Sequence, residues 1–525
     1  MTYIRGMKLT QEQAAIINSK GDIRIIAVAG AGKTTTLIEY AKARPDKSIL
    51  YLAFNKTVKI EAERKFAEVK LNNVRVETAH SLAYHYIVRG SKYTIKPEGS
   101  YKINEIVDIL HLRGLKGKHT ESILATHINA YLSYFCNSAP PKVSDLDYED
   151  ILTDREAIQF ATRYKKDILY QTRLFLDKMN KGEIPITHDF YLKKFQLAGP
   201  VLQYDVILFD EGQDASGAML EVFRTQAGVK VLVGDSHQQI YGWRYAVNSL
   251  DKLNYPMYTL STSFRFDQDI ADLASYVIQW KKLYSAPLTV KIIGFGKSRK
   301  SQTRAVVART NAGLLVKAIE LLIEKKEIRT IYFEGRIENY TYANDGASIY
   351  DILNLYNGEV GRIRDTTIAS MGSMEDLEDY IKTTGETQLG MLVDVVKKYG
   401  AKIPGYIKKL KDCHLDHDDK EQADMIFSTV HRCKGMEYDE VTLTNDFITH
   451  DKVVKQAENI DKVNISRLSE EINLLYVAIT RAKSHLYIPQ EILTGQKKAI
   501  PVLKQRRASG AETKGENYVY AGVRK

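Results

Sequence analysis

Short apolar runs alternate along the chain with stretches whose apolar residues recur at helical spacing. In the first half the runs are "IRIIAVAG", ending at Gly30, "SILYLAFN" (48–55), "VRVETAH" (74–80), "VILFDE" (206–211) and "VKVLVGD" (229–235). A second series follows in "AVVART" (305–310), "TIYFEG" (330–335), "MIFSTVH" (425–431), "EVTLTND" (440–446) and "HLYIP" (485–489). Runs this continuous belong to strands buried on both faces, as in a parallel sheet covered by helices. They predict an α/β protein with two parallel-sheet domains.

Each series is interrupted. Residues 86–195 carry helical spacing, as at Leu124, Ile128, Tyr131, Leu132 and Phe135, broken at Pro140-Pro141. Residues 336–420 form a second interruption, ending in the charged "DCHLDHDDKEQ". The predicted partition is a first domain from 1–85 and 196–256 with a helical insertion at 86–195, and a second from 257–335 and 421–496 with a compact insertion at 336–420. Residues 497–525, with eight Lys/Arg against two Glu, are expected to be a mobile basic tail.

Charge adds a partner class. Across 525 residues, 75 Lys/Arg against 65 Asp/Glu leave a net charge of +10, which suits a polyanion such as nucleic acid. Cys136, Cys413 and Cys433 lie too far apart for a Cys₄ metal framework and fit a reducing compartment. The start "MTYIRGMKLTQEQ" lacks a signal-peptide core, and no apolar run reaches the ~18 residues of a membrane span. The expectation is a soluble intracellular protein, cytoplasmic in a prokaryote or phage and nuclear in a eukaryote, with no membrane partner. Cys413, His414, Asp416 and His417 match no standard zinc spacing and read as a solvated linker.

The chemistry begins at "IIAVAGAGKTTT". A strand leads into Ala29, Gly30, Ala31, Gly32, Lys33, Thr34 and Thr35, where a helix starts. Glycines there let backbone N–H groups wrap phosphates at a helix N-terminus, Lys33 neutralises the β- and γ-phosphates, and the Thr34 hydroxyl can ligate Mg²⁺. The full GxxxxGK[ST] pattern fails only at its first position, Ala27. In "VILFDEGQD" the apolar run ends on Asp210, a second Mg²⁺ ligand, and Glu211, a general base for the attacking water. ATP and Mg²⁺ are the expected cofactors.

Further motifs decide which kind of nucleotide hydrolase this resembles. "LTQEQ" (9–13), "VGDSHQQIYGWR" (233–244), "LSTSFR" (260–265), "STVHRCKGMEYDEV" (428–441) and "EEINLLYVAITRAK" (470–483) follow one another in the order of superfamily 1 helicases of the UvrD/Rep type. The match runs from Leu9 to about Pro489. "PITHDFYLKKFQL" (185–197) and the compact second insertion are similar to the F-box DNA helicase family, without the F-box itself. The resemblance implies two tandem RecA-like P-loop NTPase domains, each with a mainly helical insertion, and 3′–5′ movement on single-stranded DNA.

Residue by residue, the resemblance implies that Gln13 reads the adenine edge, Phe264 stacks on the ring and Gln213 links the hydrolysis site to the third motif. Gln238 senses the γ-phosphate, Glu437 beside Gly435 binds the ribose, and Arg265 and Arg481 act as arginine fingers. Phe264 stands where the family prefers Tyr, and Ser263 where it commonly has Asn. The implied strand contacts are Phe54, Asn55, Thr78, His80, Tyr241, Trp243, Arg244, Arg309, Asn311, Thr429 and His431. Aromatics in such a track stack on bases without reading sequence.

Single strands and single-strand/duplex junctions are thus the expected partners, with a recombinase or other protein reached through the second insertion or the basic tail. Two other readings stay open: a translocase that strips proteins from single strands with little unwinding, and a nucleotide-gated binding module. The latter calls for a broken catalytic position, whereas Lys33, Asp210, Glu211, Gln238, Arg265 and Arg481 are all present. An RNA substrate also stays open, since nothing in the sequence reads the 2′-hydroxyl.

Overall fold

The apolar runs of the first series become one six-stranded parallel sheet. Its order is Val74–Thr78, Ile49–Ala53, Val206–Phe209, Val229–Gly234, Ile23–Ala27 and Met257–Leu260. These coordinates are a computed structural model, which describes residues 2–4, 7–112, 119–152, 154–242, 245–287, 290–297, 302–342, 347–460, 463–493, 504–505 and 518–522. The strands Ile49–Ala53 and Val206–Phe209 are buried at every residue, which is why their sequences are apolar without alternation.

The second series forms the parallel part of another sheet, ordered Ile331–Phe333, Met425–Thr429, Arg304–Ala308, Tyr438–Leu443 and Ala482–Pro489. One apolar cluster joins the two units, running from Ile25, Leu208 and Val233 to Val441, Leu474 and Val477.

Two points differ from the sequence expectation. A boundary at 256/257 gives Met257–Leu260 to the second domain, but this strand pairs with Ile23–Ala27 and closes the edge of the first sheet. The expected mobile tail contributes Tyr518–Gly522, antiparallel to Ala482–Pro489, and Lys504–Gln505 beside it. Val519 and Ala521 are buried there, an apolar hold that the basic composition conceals.

The helices of the first interruption pack over the first sheet. Thr120–Asn137 buries Leu124, Ile128, Tyr131, Leu132 and Phe135, the residues picked out by spacing. The second interruption is built from Ile349–Tyr356, Thr366–Met371, Met374–Thr384, Thr387–Tyr399 and Ile403–Asp412. It docks on the first insertion: Ile123 shares a core with Leu377 and Tyr380, and the hydroxyls of Thr126 and Tyr380 lie 3.0 Å apart. Among the described residues, no helix is long and apolar enough to cross a membrane.

Candidate active site

The phosphate loop follows from its glycines. Gly30 and Gly32 adopt φ of 74° and 76°, the left-handed region that glycine enters without a steric cost. Gly30 is also a contact requirement, since a Cβ there would lie 2.7 Å from the Arg265 Cβ and 2.8 Å from Ser263 Oγ. Gly32 caps the helix Lys33–Lys42; Ala31 before it is buried, and in the first turn Thr34 is half-buried and Thr35 exposed. The Lys33 ammonium sits 2.8 Å from Glu211 Oε1. Burial alone would lower its pKa, but Glu211, Asp210 and Asp235 outweigh that and raise it.

Asp210 ends its strand buried, with the Tyr51 hydroxyl donating to Oδ2. Burial, then the neighbouring Glu211, raises the Asp210 pKa. Glu211 moves the other way: burial opposes ionisation, but Lys33 and Lys434 hold it below the usual carboxylate range. Glu211 has φ 54°, a costly conformation for a residue with a Cβ, and one that turns its carboxylate toward Lys33.

Gln213 lies between two parts of this site. Its Nε2 donates to Glu211 Oε2 at 2.5 Å, and its Oε1 accepts the Asp235 N–H at 3.1 Å. Asp235 Oδ2 in turn accepts from Gln238 Nε2 and from the Tyr476 hydroxyl, both at 2.9 Å. Tyr476 belongs to the second domain, and its oxygen also accepts the Ala29 N–H of the phosphate loop at 3.4 Å. Asp214 pairs with Lys434, again from the second domain, which donates further to the Gln238 carbonyl at 2.7 Å. One polar network thus spans both domains.

The remaining nucleotide candidates surround it. Gln13 is buried and engaged: its Oε1 accepts the Thr10 N–H at 3.0 Å, and its Nε2 donates to Thr36 Oγ1 at 3.2 Å. The Phe264 N–H donates to the Gly30 carbonyl at 3.0 Å, while its ring is 44% exposed. Arg265 bonds Glu437 Oε2 at 2.8 Å and the Thr480 carbonyl at 2.9 Å. Arg481 is 1% exposed and donates to the carbonyls of Val477 and Met436, both at 3.0 Å. Burial and the nearby Arg265 push its pKa down to about 10. In this state both guanidinium groups are held by second-domain oxygens. Gly435, at φ 89°, sets the turn before Glu437.

Thr34 and Asp210 supply hard oxygens, the donor type that Mg²⁺ takes from a protein when phosphates complete its shell. Among the described residues, no group of three or more His, Cys, Asp or Glu could hold a metal ion by itself. The two oxygen donors fit a cation whose shell nucleotide phosphates complete.

Of the strand-contact candidates, Phe54, Tyr241 and His431 come together across the domain junction. Phe54 and Tyr241 stack at 5.4 Å and 21°, and the Tyr241 and His431 rings lie 6.0 Å apart. His431 is largely desolvated, and burial followed by Arg309 pushes its pKa down to about 4. Arg309 is committed to Glu471 through two bonds of 2.9 and 2.7 Å. Asn55 and Thr78 cap helices by accepting the Val58 and Ser81 N–H groups, Asn311 opens a helix, and Thr429 precedes a helical turn. Trp243 and Arg244 lie outside the described residues.

Thr187 caps the helix His188–Leu197 by accepting the Phe190 N–H at 3.2 Å, and Asp189 Oδ1 lies 3.9 Å from His80 Nε2. Sequence reasoning missed Tyr51, Asp235, Lys434 and Tyr476. Asp235, Lys434 and Tyr476 sit inside the quoted motifs, so the motifs themselves were the available signal, whereas Tyr51 lies in the apolar run "SILYLAFN" and carried none.

Comparison with known proteins agrees with this geometry. Residues 9–252 match the UvrD/REP helicase N-terminal domain, and residues 258–491 match the UvrD-like helicase C-terminal domain. The chain is 29% identical to F-box DNA helicase 1 of Gallus gallus over 93% of its own length and 49% of the relative's. It is 28% identical to F-box DNA helicase protein 1 of Schizosaccharomyces pombe, over 92% and 58%. DNA helicase II of Rickettsia typhi is 26% identical over 62% of this chain and 50% of that protein. The chain thus spans about half the length of the curated relatives it matches. With both family domains matched in order, and the phosphate loop facing Asp210, Glu211 and a second-domain partner, the chain belongs to the UvrD-like helicase family.

Proposed function

We propose that the protein is an ATP-dependent DNA helicase or translocase that moves 3′–5′ along single-stranded DNA, coupling hydrolysis to strand separation or protein displacement in repair, recombination or replication. The observation that carries this reading is the two-domain network around Gln213. Glu211 and Gln238 reach second-domain Tyr476 and Lys434 through Gln213, Asp235 and Asp214, so a change at the γ-phosphate is felt across the cleft. Phe54, Tyr241 and His431 lie at the same junction, where relative movement of the domains would alter their grip on bases.

In this mechanism Lys33 and the loop amides hold the phosphates while Glu211 takes a proton from the attacking water. Mg²⁺ held by Thr34 and Asp210 would supply charge neutralisation at the phosphates. Arg265 and Arg481 would exchange their carbonyl and carboxylate partners for phosphate oxygens as the cleft closes. The test is steady-state ATP hydrolysis with and without single-stranded DNA, followed by displacement from duplexes tailed at either end. Hydrolysis indifferent to DNA would overturn the proposal.

A second reading, protein stripping with little unwinding, draws support from one feature. The compact second insertion spends the face around Leu377 and Tyr380 on the first insertion, which leaves less of it to engage duplex. Clearance of a recombinase filament measured beside strand displacement separates the two activities.

A further inference from the structure

Two large aromatic side chains stand exposed where the segment around Phe264 meets the phosphate loop. Phe264 is 44% exposed and Phe295 is 52% exposed. Their rings meet edge to face, with centroids 6.1 Å apart and planes at 84°. Such a contact covers at most one face of Phe264 and leaves a face open to a flat ligand.

The backbone fixes Phe295 in this place. Ile293–Gly294 pairs in parallel with Thr262–Ser263, and the Phe295 N–H donates to the Ser263 carbonyl at 2.8 Å. The flanking glycines permit the close approach. A Cβ on Gly294 would lie 2.2 Å from the carbonyl carbon of Asp267, and one on Gly296 2.4 Å from the Phe266 nitrogen. No real side chain fits at either distance. The segment therefore presses against 263–267 at both glycines while Phe295 shows its ring to solvent. The constrained strip thus holds the Phe295 ring against Phe264, and the two half-exposed rings form one apolar patch of the kind a flat ligand can cover.

We infer that Phe295 belongs to the nucleotide-base subsite, as a positioning residue that holds the Phe264 ring ready to stack on a purine. This rests on the reading of Phe264 as the base platform. Ordering an aromatic side chain beforehand removes part of the entropy lost on binding. The larger purine ring gains more from an ordered platform than a pyrimidine does.

The experiment compares KM and kcat for ATP and CTP, at saturating single-stranded DNA, in the intact chain and in Phe295→Ala, Phe295→Leu and Phe264→Ala. Phe295→Ala should raise KM for ATP about two- to tenfold, the range of one aromatic pair, with kcat within twofold and a smaller change for CTP. Phe295→Leu should resemble Phe295→Ala, because a leucine restores apolar bulk but not the ring edge. Phe264→Ala should raise KM for ATP further. Unchanged KM in Phe295→Ala with raised KM in Phe264→Ala would overturn the inference alone. Full rescue by Phe295→Leu would also overturn it, reducing Phe295 to filler. Unchanged KM in both alanine variants would remove the Phe264 platform and the inference with it.

Discussion

Lys434 of the second domain places its ammonium between the Asp214 carboxylate and the Gln238 carbonyl of the first, 2.7 Å from the latter. Asp214 is the last residue of the "DEGQD" stretch, and this contact ties that stretch to the second domain. Above about pH 7, where Asp214 would be ionised, Lys434→Met leaves a buried carboxylate without its cation, at a cost of up to about 3–5 kcal/mol of stability. The double variant Lys434→Met/Asp214→Asn should recover much of that loss, because no charge is then stranded. Chemical denaturation of the four proteins in this cycle measures the coupling.

The same pair makes a pH prediction. Burial pushes Asp214 from its ordinary 3.8 up to about 7, against the pull of Lys434 and with that of Glu211. A folded-state pKa above the unfolded one means that the native state binds more protons in this window. The stability contribution is therefore fully present below about pH 3.8 and is lost as pH rises through about 7. Asp214→Asn should flatten this part of the stability–pH curve relative to the parent. Equal slopes between pH 4 and 7 would contradict the shift.

Tyr476 links the phosphate loop to Asp235 through one hydroxyl. Tyr476→Phe keeps the ring and deletes that link, leaving Asp235 with one donor fewer in a buried setting, a loss of about 1–3 kcal/mol. Turnover should fall about tenfold, equivalent to about 1.4 kcal/mol in the barrier, with KM for ATP little changed. A kcat within twofold of the parent would show that the hydroxyl only packs.

The sheets were legible because strands such as Val206–Phe209 are buried on both sides and must be apolar throughout. Met257–Leu260 escaped notice because it is an edge strand with Met257 exposed and Tyr258 half-buried, so its run is short and mixed. Tyr518–Gly522 was hidden by the basic residues around it. In the site, Lys33, Asp210 and Glu211 could be read from motif chemistry alone. The partners of Asp214 and Asp235 could not, since Lys434 and Tyr476 lie 220 and 241 residues away and meet them only when the domains pack.

The stacked pair Phe54 and Tyr241 tests the strand track. Alanine at either position should weaken single-strand binding by about 1–3 kcal/mol, with similar losses for different base sequences. Fluorescence anisotropy with labelled oligonucleotides of several sequences reads this directly. Unchanged affinity in both variants would move the track elsewhere.

The most direct test of the central claim is steady-state ATP hydrolysis by the intact chain without nucleic acid, with single-stranded DNA, and with single-stranded RNA of matched length, run beside Lys33→Ala. The account predicts slow hydrolysis alone, strong stimulation by DNA and not by RNA, and a fall of at least about 10²-fold in the variant with DNA binding retained. Turnover that is already fast without any strand, or hydrolysis by Lys33→Ala within about tenfold of the parent, would contradict it.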